Sequence, residues 1–351
     1  DLDRPLALDA EFDVVLPSIR FLDFTAPDID FPDIPFSASG RLHNEQTLTR
    51  LSDVQAQLGR LRTTINGDLG HDDSYKLEIS ARGDDASRLG KFFKLSIPAH
   101  AIALDTRLEG NFEQLALNDL QLNLGASEVH GNLQFGFDEL TSISGELNSS
   151  HLDLSWWLPE KSDQPKSQPE PGALVFDDTP VLRIEDYGVE TDLRLRFDLV
   201  DLGNTEIKDI DLGVALHPRL LRIEPMSLRG STGGAISGRA LVDGRRGTPE
   251  MNFDMQASDL RLGLAAVEGQ SIDTYPETDI NMTLTGRGFT RRELVSSLDG
   301  KIRIQAGPGK IGKTTASLFF SDFMTDLISK LNPFSETNEY TNYECSVLAA
   351  D

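Results

Sequence analysis

The chain has 351 residues, a formal net charge of -24 at pH 7, 38% hydrophobic residues and 18 phenylalanines. That charge repels phosphate backbones and speaks against nucleic acid as a partner, while the apolar content exceeds that of a disordered chain and the length suffices for one large or two ordinary domains. One cysteine, Cys345, excludes an intramolecular disulfide and a thiolate metal cage.

No apolar run approaches the roughly 18 residues of a membrane span, and the first residues do not read as a signal peptide. The start at Asp1 and the stop at Asp351 within an apolar run read as a fragment, with any targeting or anchoring segment outside it. Asp28, Asp30 and Asp33 sit among Pro27, Pro32 and Pro35. They lack the Asp-x-Asp-x-Asp-Gly spacing of a calcium loop and read as a solvated edge.

From there period-two alternation dominates, the pattern of a strand with one buried and one wet face. Leu120, Leu122 and Leu124 share a face, as do Leu133, Phe135 and Phe137. The segment Leu51-Ser-Asp53-Val-Gln55-Ala-Gln-Leu58-Gly59 aligns with Leu117-Asn-Asp119-Leu-Gln121-Leu-Asn-Leu124-Gly125 at an offset of 66 residues. Leu77 to Phe92 aligns with Ile143 to Leu158 at the same offset, and a looser third copy runs from Ile207 to Leu264. Such repeats predict a quasi-one-dimensional stack of strands. Trp156 and Trp157 close the second copy and fit packing against the sheet better than gripping a headgroup.

Pro- and charge-rich residues from Pro159 to Gly172 bury little surface and predict a linker or long loop. Alternation resumes with Leu193, Leu195 and Phe197, then Met251, Phe253 and Met255, then Ile280, Met282 and Leu284, and finally Ile302 and Ile304. Gly307-Pro-Gly-Lys-Ile-Gly312-Lys313-Thr314 matches the phosphate-binding P-loop pattern literally, and Val347 to Asp351 imitates its companion strand. The motif has meaning only inside a parallel α/β sheet, so a plain strand-to-helix turn is expected. The period then becomes helical: Phe319, Phe320, Phe323, Met324, Leu327, Ile328 and Leu331 form one stripe, a helix from Thr315 to Leu331 that Asn332-Pro333 ends. Its polar face is not rich in Lys or Arg, so it reads as a lid over the sheet rather than a membrane-surface helix.

The expected organisation is thus a repeat β region over 1–158, a linker or loop over 159–182, further β repeat over 183–312, and a helix with a final strand over 313–351. The fold class is mainly β: an extended, curved, largely antiparallel repeat sheet forming a groove or half-barrel, with one C-terminal amphipathic helix and short helical turns. The six histidines, His43, His71, His100, His130, His151 and His217, are scattered without ligand spacing, and no Gly-x-Ser-x-Gly elbow occurs. Carboxylates are abundant enough that a glycosidase-like pair is not excluded by counting. No catalytic residue, metal or cofactor is predicted.

The order of motifs resembles the AsmA-like family of envelope proteins. The resemblance is carried by Asp84-Asp-Ala-Ser-Arg-Leu89-Gly90, Pro98, Leu117-Asn-Asp119-Leu, Gly125-Ala-Ser127-Glu-Val-His-Gly131-Asn-Leu133 and Ser150-His-Leu152-Asp153-Leu154. It continues in Leu228-Arg-Gly230-Ser-Thr-Gly233-Gly234-Ala-Ile-Ser-Gly238, in Leu298-Asp-Gly300-Lys-Ile-Arg-Ile, and in Tyr340-Thr-Asn-Tyr-Glu344-Cys345-Ser-Val347. Each motif is weak alone; their order and spacing are what is specific.

The resemblance implies a periplasm-facing protein of a Gram-negative envelope, anchored in the inner membrane by a segment outside this chain and tied to outer-membrane homeostasis. It further implies phospholipid acyl chains carried along a β-lined groove, with envelope proteins as further partners. Periodicity leaves two readings of the apolar face, a lipid groove or a filled core. The second suits a scaffold or assembly factor that binds protein partners at a sheet edge. A P-loop nucleotide binder is a third reading.

Overall fold

The computed structural model describes residues 8–22, 33–45, 47–87, 97–138, 140–156, 180, 189–203, 205–231, 233–261, 277–306, 309–311, 338–340 and 343–349. The protein is mainly β, and its strands pair largely antiparallel. It divides into two units, Asp1–Pro159 with Leu195–Asn204, and Glu160–Arg194 with Thr205–Asp351.

The first unit is a meander in which each strand pairs with the next: β1 (Leu8–Leu16), β2 (Phe36–Asn44), β3 (Leu48–Leu58), β4 (Leu61–Gly70), β5 (Tyr75–Gly83), β6 (Ile102–Gly110), β7 (Gln114–Leu124), β8 (Ser127–Phe137) and β9 (Thr141–Asp153). The offset of 66 residues is a structural period. Strands β2 to β5 begin at Phe36, Leu48, Leu61 and Tyr75, and β6 to β9 at Ile102, Gln114, Ser127 and Thr141. The turns repeat as well: Gly59 and Gly125 each open a two-residue hairpin loop with φ of 60° and 59°, a left-handed conformation that favours glycine.

The repeated Asp of the sequence has a structural cause. Asp53 and Asp119 adopt φ of 53° and 52°, and each is an extra residue relative to both neighbouring strands. The apolar spacing slips there from two residues to three, from Leu51 to Val54 and from Leu117 to Leu120. A one-residue slip would turn the rest of the strand inside out, but the bulge absorbs it and returns the later residues to the same face. The bulged N–H groups are accepted by side chains of the next strand, Asp53 N by Asn66 Oδ1 at 2.7 Å and Asp119 N by Asn132 Oδ1 at 2.9 Å. Both Asn residues sit at the same offset, and a bulge of this kind bends its strand and tightens the local twist.

The second unit holds the first part of β10 (Val189–Asp201) and then β11 (Glu206–His217), β12 (Leu220–Gly230), β13 (Ala235–Asp243), β14 (Glu250–Arg261), β15 (Glu277–Arg287) and β16 (Asp299–Ala306). From β11 onward each pairs antiparallel with its successor, and β16 also pairs with β19 (Tyr343–Ala349). Bulges recur at Asp209 and Asp259, with φ of 50° and 52°; Asp259 N is accepted by Asp279 Oδ1 at 3.0 Å. A short hairpin pairs β17 (Gly309–Ile311) with β18 (Asn338–Tyr340).

Helix α1 (Arg291–Ser296) was not anticipated from periodicity. Thr290 caps it, accepting from Glu293 N at 3.2 Å, while Glu293 Oε2 accepts from Phe289 N at 2.7 Å, a reciprocal arrangement akin to a capping box. The lid helix expected over Thr315 to Leu331 lies outside the described residues, as does all but Pro180 of the 159–182 linker. Pro180 forms an isolated bridge with Thr290.

Candidate functional site: the apolar sheet face

The sheet face is where the alternating residues meet, because antiparallel register places same-face residues of successive strands opposite one another. In the first unit Leu42, Leu51, Gly67, Leu77, Leu108, Leu117 and Leu133 form one continuous row across seven strands. A parallel row passes through Ala38, Ala56, Thr63, Ala81, Leu104, Leu122 and Val129. Leu124 and Phe135 extend the face towards the two strand ends. Most of these side chains are neither buried nor exposed but half-covered; Val54, Ala81 and Leu120, at 7% exposure each, are the tighter points.

Of the sequence-predicted lining residues in this unit, Leu120, Leu122, Leu124, Leu133 and Phe135 share the face. Phe137 does not join it in the same way: the last residue of β8, opposite Thr141 of β9, it is 48% exposed. Along β10, Leu193, Leu195 and Phe197 are half-buried, as is Arg194, while Arg196 and Asp198 on either side of Phe197 are exposed.

In the second unit the registers join Met255, Met282 and Ile302 in one row, Phe253 and Leu284 in the next, and Ile280 with Ile304 beside them; Met251 faces Gly286. Here part of the face is filled. Ile280 at 1% exposure, Ile302 at 4%, Met282, Ala257 and Leu260 form a buried cluster, with Phe253, Met255, Leu284 and Ile304 packed against it. Ile280, Met282 and Ile302 therefore act as core in this structure, not as an accessible lining. Their alternation is the same as that of half-covered strands, so periodicity could not distinguish them. The lid residues Phe319, Phe320, Phe323, Met324, Leu327, Ile328 and Leu331 lie outside the described residues.

The opposite face is polar and laced with cross-strand ion pairs, such as Arg50 with Asp68, Arg82 with Asp105, Arg107 with Asp119, Arg196 with Glu146 and Arg239 with Asp254. At exposed sites such pairs add little stability, so they fix register more than they stabilise. Arg82 holds the Asp105 carboxyl below its ordinary range by hydrogen bonding, Arg239 does the same for Asp254, and Arg245 pulls Asp243 down to about 2. A general acid needs a carboxyl pushed upward. Every carboxyl shift resolved among the described residues runs downward.

A shallow depression on this face, bordered by Arg50, Asp68, Lys76, Glu78, Arg107 and Glu109, is likewise a field of balanced charges. Among the described residues no group of three His, Cys, Asp or Glu stands close enough to hold a metal. The histidines serve locally: His130 pairs with Glu128 at 2.6 Å and His217 with Glu190 at 3.5 Å. Trp156, half-buried, donates its indole N–H to Asp153 O at 2.9 Å at the end of β9; Trp157 is outside the described residues.

The P-loop look-alike follows an antiparallel strand, and its Gly307 and Pro308 lie outside the described residues. Strand β16 has antiparallel neighbours on both sides, and Gly309–Ile311 is itself a strand rather than a loop. Gly312, Lys313 and Thr314 lie outside the described residues. No helix among the described residues is long and apolar enough to cross a membrane. The signal that sequence reading overlooked is the bulge: the three-residue apolar step beside each repeated Asp marks where the face is kept continuous. Compared with family models, curated proteins and solved structures, the chain matches none.

Proposed function

We propose that the chain is a non-enzymatic envelope protein that shields phospholipid acyl chains along its apolar sheet face, between inner and outer membranes. One observation carries the reading: the rows of the first unit, chiefly Leu and Ala with Gly67 and Thr63 among them, run across seven strands, yet most of their side chains stay only half-covered. A protein gains little by leaving such a surface to water, since each exposed methylene costs about 0.8 kcal/mol. The same arithmetic applies to the cargo. A two-chain phospholipid crossing water faces on the order of 20 kcal/mol, most of which a continuous apolar path removes.

The order of the AsmA-like motifs supports the same reading. The test is to purify the chain, identify bound lipid by mass spectrometry, and crosslink from a photoreactive residue at Phe197. Co-purifying phospholipid and a lipid adduct at Phe197 are expected; empty protein without an adduct overturns the reading.

The packed cluster around Ile280 favours a second reading for its own part of the sheet. There the face is a filled core, as a scaffold binding protein partners would have. On that reading the purified chain retains stoichiometric protein partners and no lipid.

A further inference from the structure

One end of the second unit departs from the acidic character of the chain. The β11–β12 turn, the β13–β14 turn and the connection from β15 to α1 bring together Arg219, Arg245, Arg246, Arg287, Arg291 and Arg292, all exposed, around Phe289, which is 51% exposed. Backbone hydrogen bonds tie these segments edge to edge: Gly244 N donates to Arg219 O at 2.7 Å, and Gly288 N to Pro249 O at 3.0 Å. Arg219 also donates from Nη2 to Gly247 O at 2.7 Å, a neutral acceptor.

Three carboxylates among the described residues at this end already have partners. Asp243 pairs with Arg245 at 2.7 Å, Glu250 stands 3.8 Å from Arg287, and Glu293 accepts from the backbone at the start of α1. No ion pair is formed by Arg246 or Arg291 among the described residues. An aromatic ring held outward among arginines, in a chain of net charge -24, is a local inversion of the molecule's field.

We infer that this arginine-rich loop end docks on an anionic membrane surface, with the guanidinium groups on lipid phosphates and Phe289 inserted at the headgroup level. Arginine matches phosphate oxygens in a bidentate fashion, and an exposed aromatic ring is at home in the interfacial zone. The chain's overall acidity would repel the rest of its surface from the same membrane, so this end sets the orientation of approach. The inference goes beyond the acyl-chain reading and does not depend on it, since a closed core would leave these loops unchanged.

The test is flotation of the full chain with phosphatidylcholine vesicles, with and without phosphatidylglycerol. Binding only to the anionic vesicles, weakened by added salt, is expected. The double change Arg246→Glu with Arg291→Glu lowers that binding by about thirtyfold or more, and Phe289→Ser by a smaller factor. Arg60→Glu with Arg62→Glu, the same charge change at exposed positions of the first unit, leaves binding within about twofold. Circular dichroism shows that each variant is folded. Absent binding of the folded wild type at low salt overturns the inference, as does equal loss in both double variants or full retention after the changes at Arg246 and Arg291. Capture by an acidic polypeptide without vesicle binding overturns it too.

Discussion

The middle of the first unit's apolar face and the patch formed by β14, β15 and β16 are made of the same alternating strands, but they treat water differently. Across β3 to β8 the apolar side chains are mostly half-covered, with Leu, Ala, Thr and Gly interleaved in each row. In the other patch long, flexible or branched side chains meet directly, Met255 against Met282 and Met282 against Ile302, and the packing closes over Ile280. An apolar stripe is therefore not one kind of surface. Whether it becomes a core or an accessible path depends on what side chains stand opposite and what lies over them.

The largest effect that separates the two regions is the loss of a buried side chain. Ile280→Ala removes packed volume and is expected to cost about 3 kcal/mol, read from the denaturant midpoint. Leu122→Ala, from the half-covered face, costs about 1 kcal/mol. Equal losses would erase the distinction.

Next in size is the bulge that keeps the first unit's face continuous. Asp119→Ala places an ordinary side chain in the left-handed region at φ 52° and is expected to cost about 1 kcal/mol, whereas Asp119→Gly is nearly neutral. Asn132→Ala removes the acceptor of the bulged N–H and costs about 1 kcal/mol. The corresponding bulge of the second unit leans on the Asp279 carboxylate, so Asp279→Asn, which keeps the acceptor, is expected to leave stability near that of the wild type.

The smallest effect is electrostatic. Hydrogen bonding from Arg245 lowers the Asp243 carboxyl from 3.8 to about 2. A depressed folded-state value means that the contribution is complete above 3.8 and lost as pH falls through about 2. The stability gap between wild type and Asp243→Asn should thus shrink across that window in urea titrations, while the gap for Ile280→Ala stays flat.

Much of the fold was legible because period two is a direct consequence of strand geometry, and because the offset of 66 residues that aligns Leu51 with Leu117 also aligns every strand start from Phe36 to Tyr75 with its successor. The bulges were written in the sequence as three-residue steps beside Asp53 and Asp119, and α1 as Thr290 followed three residues later by Glu293. Burial was not legible. Leu122 and Ile280 stand in equally regular strands, and the neighbours brought by register decide which is covered. Phe137 illustrates the same limit at a strand end, where alternation continues but cover stops.

The most direct test of an accessible path against a filled core places a photoreactive residue at Leu122 and, in a separate sample, at Ile280, with both proteins purified from membranes. A phospholipid adduct at Leu122 and only intramolecular crosslinks at Ile280 are expected. A folded protein that yields no lipid adduct at Leu122 would contradict the accessible path.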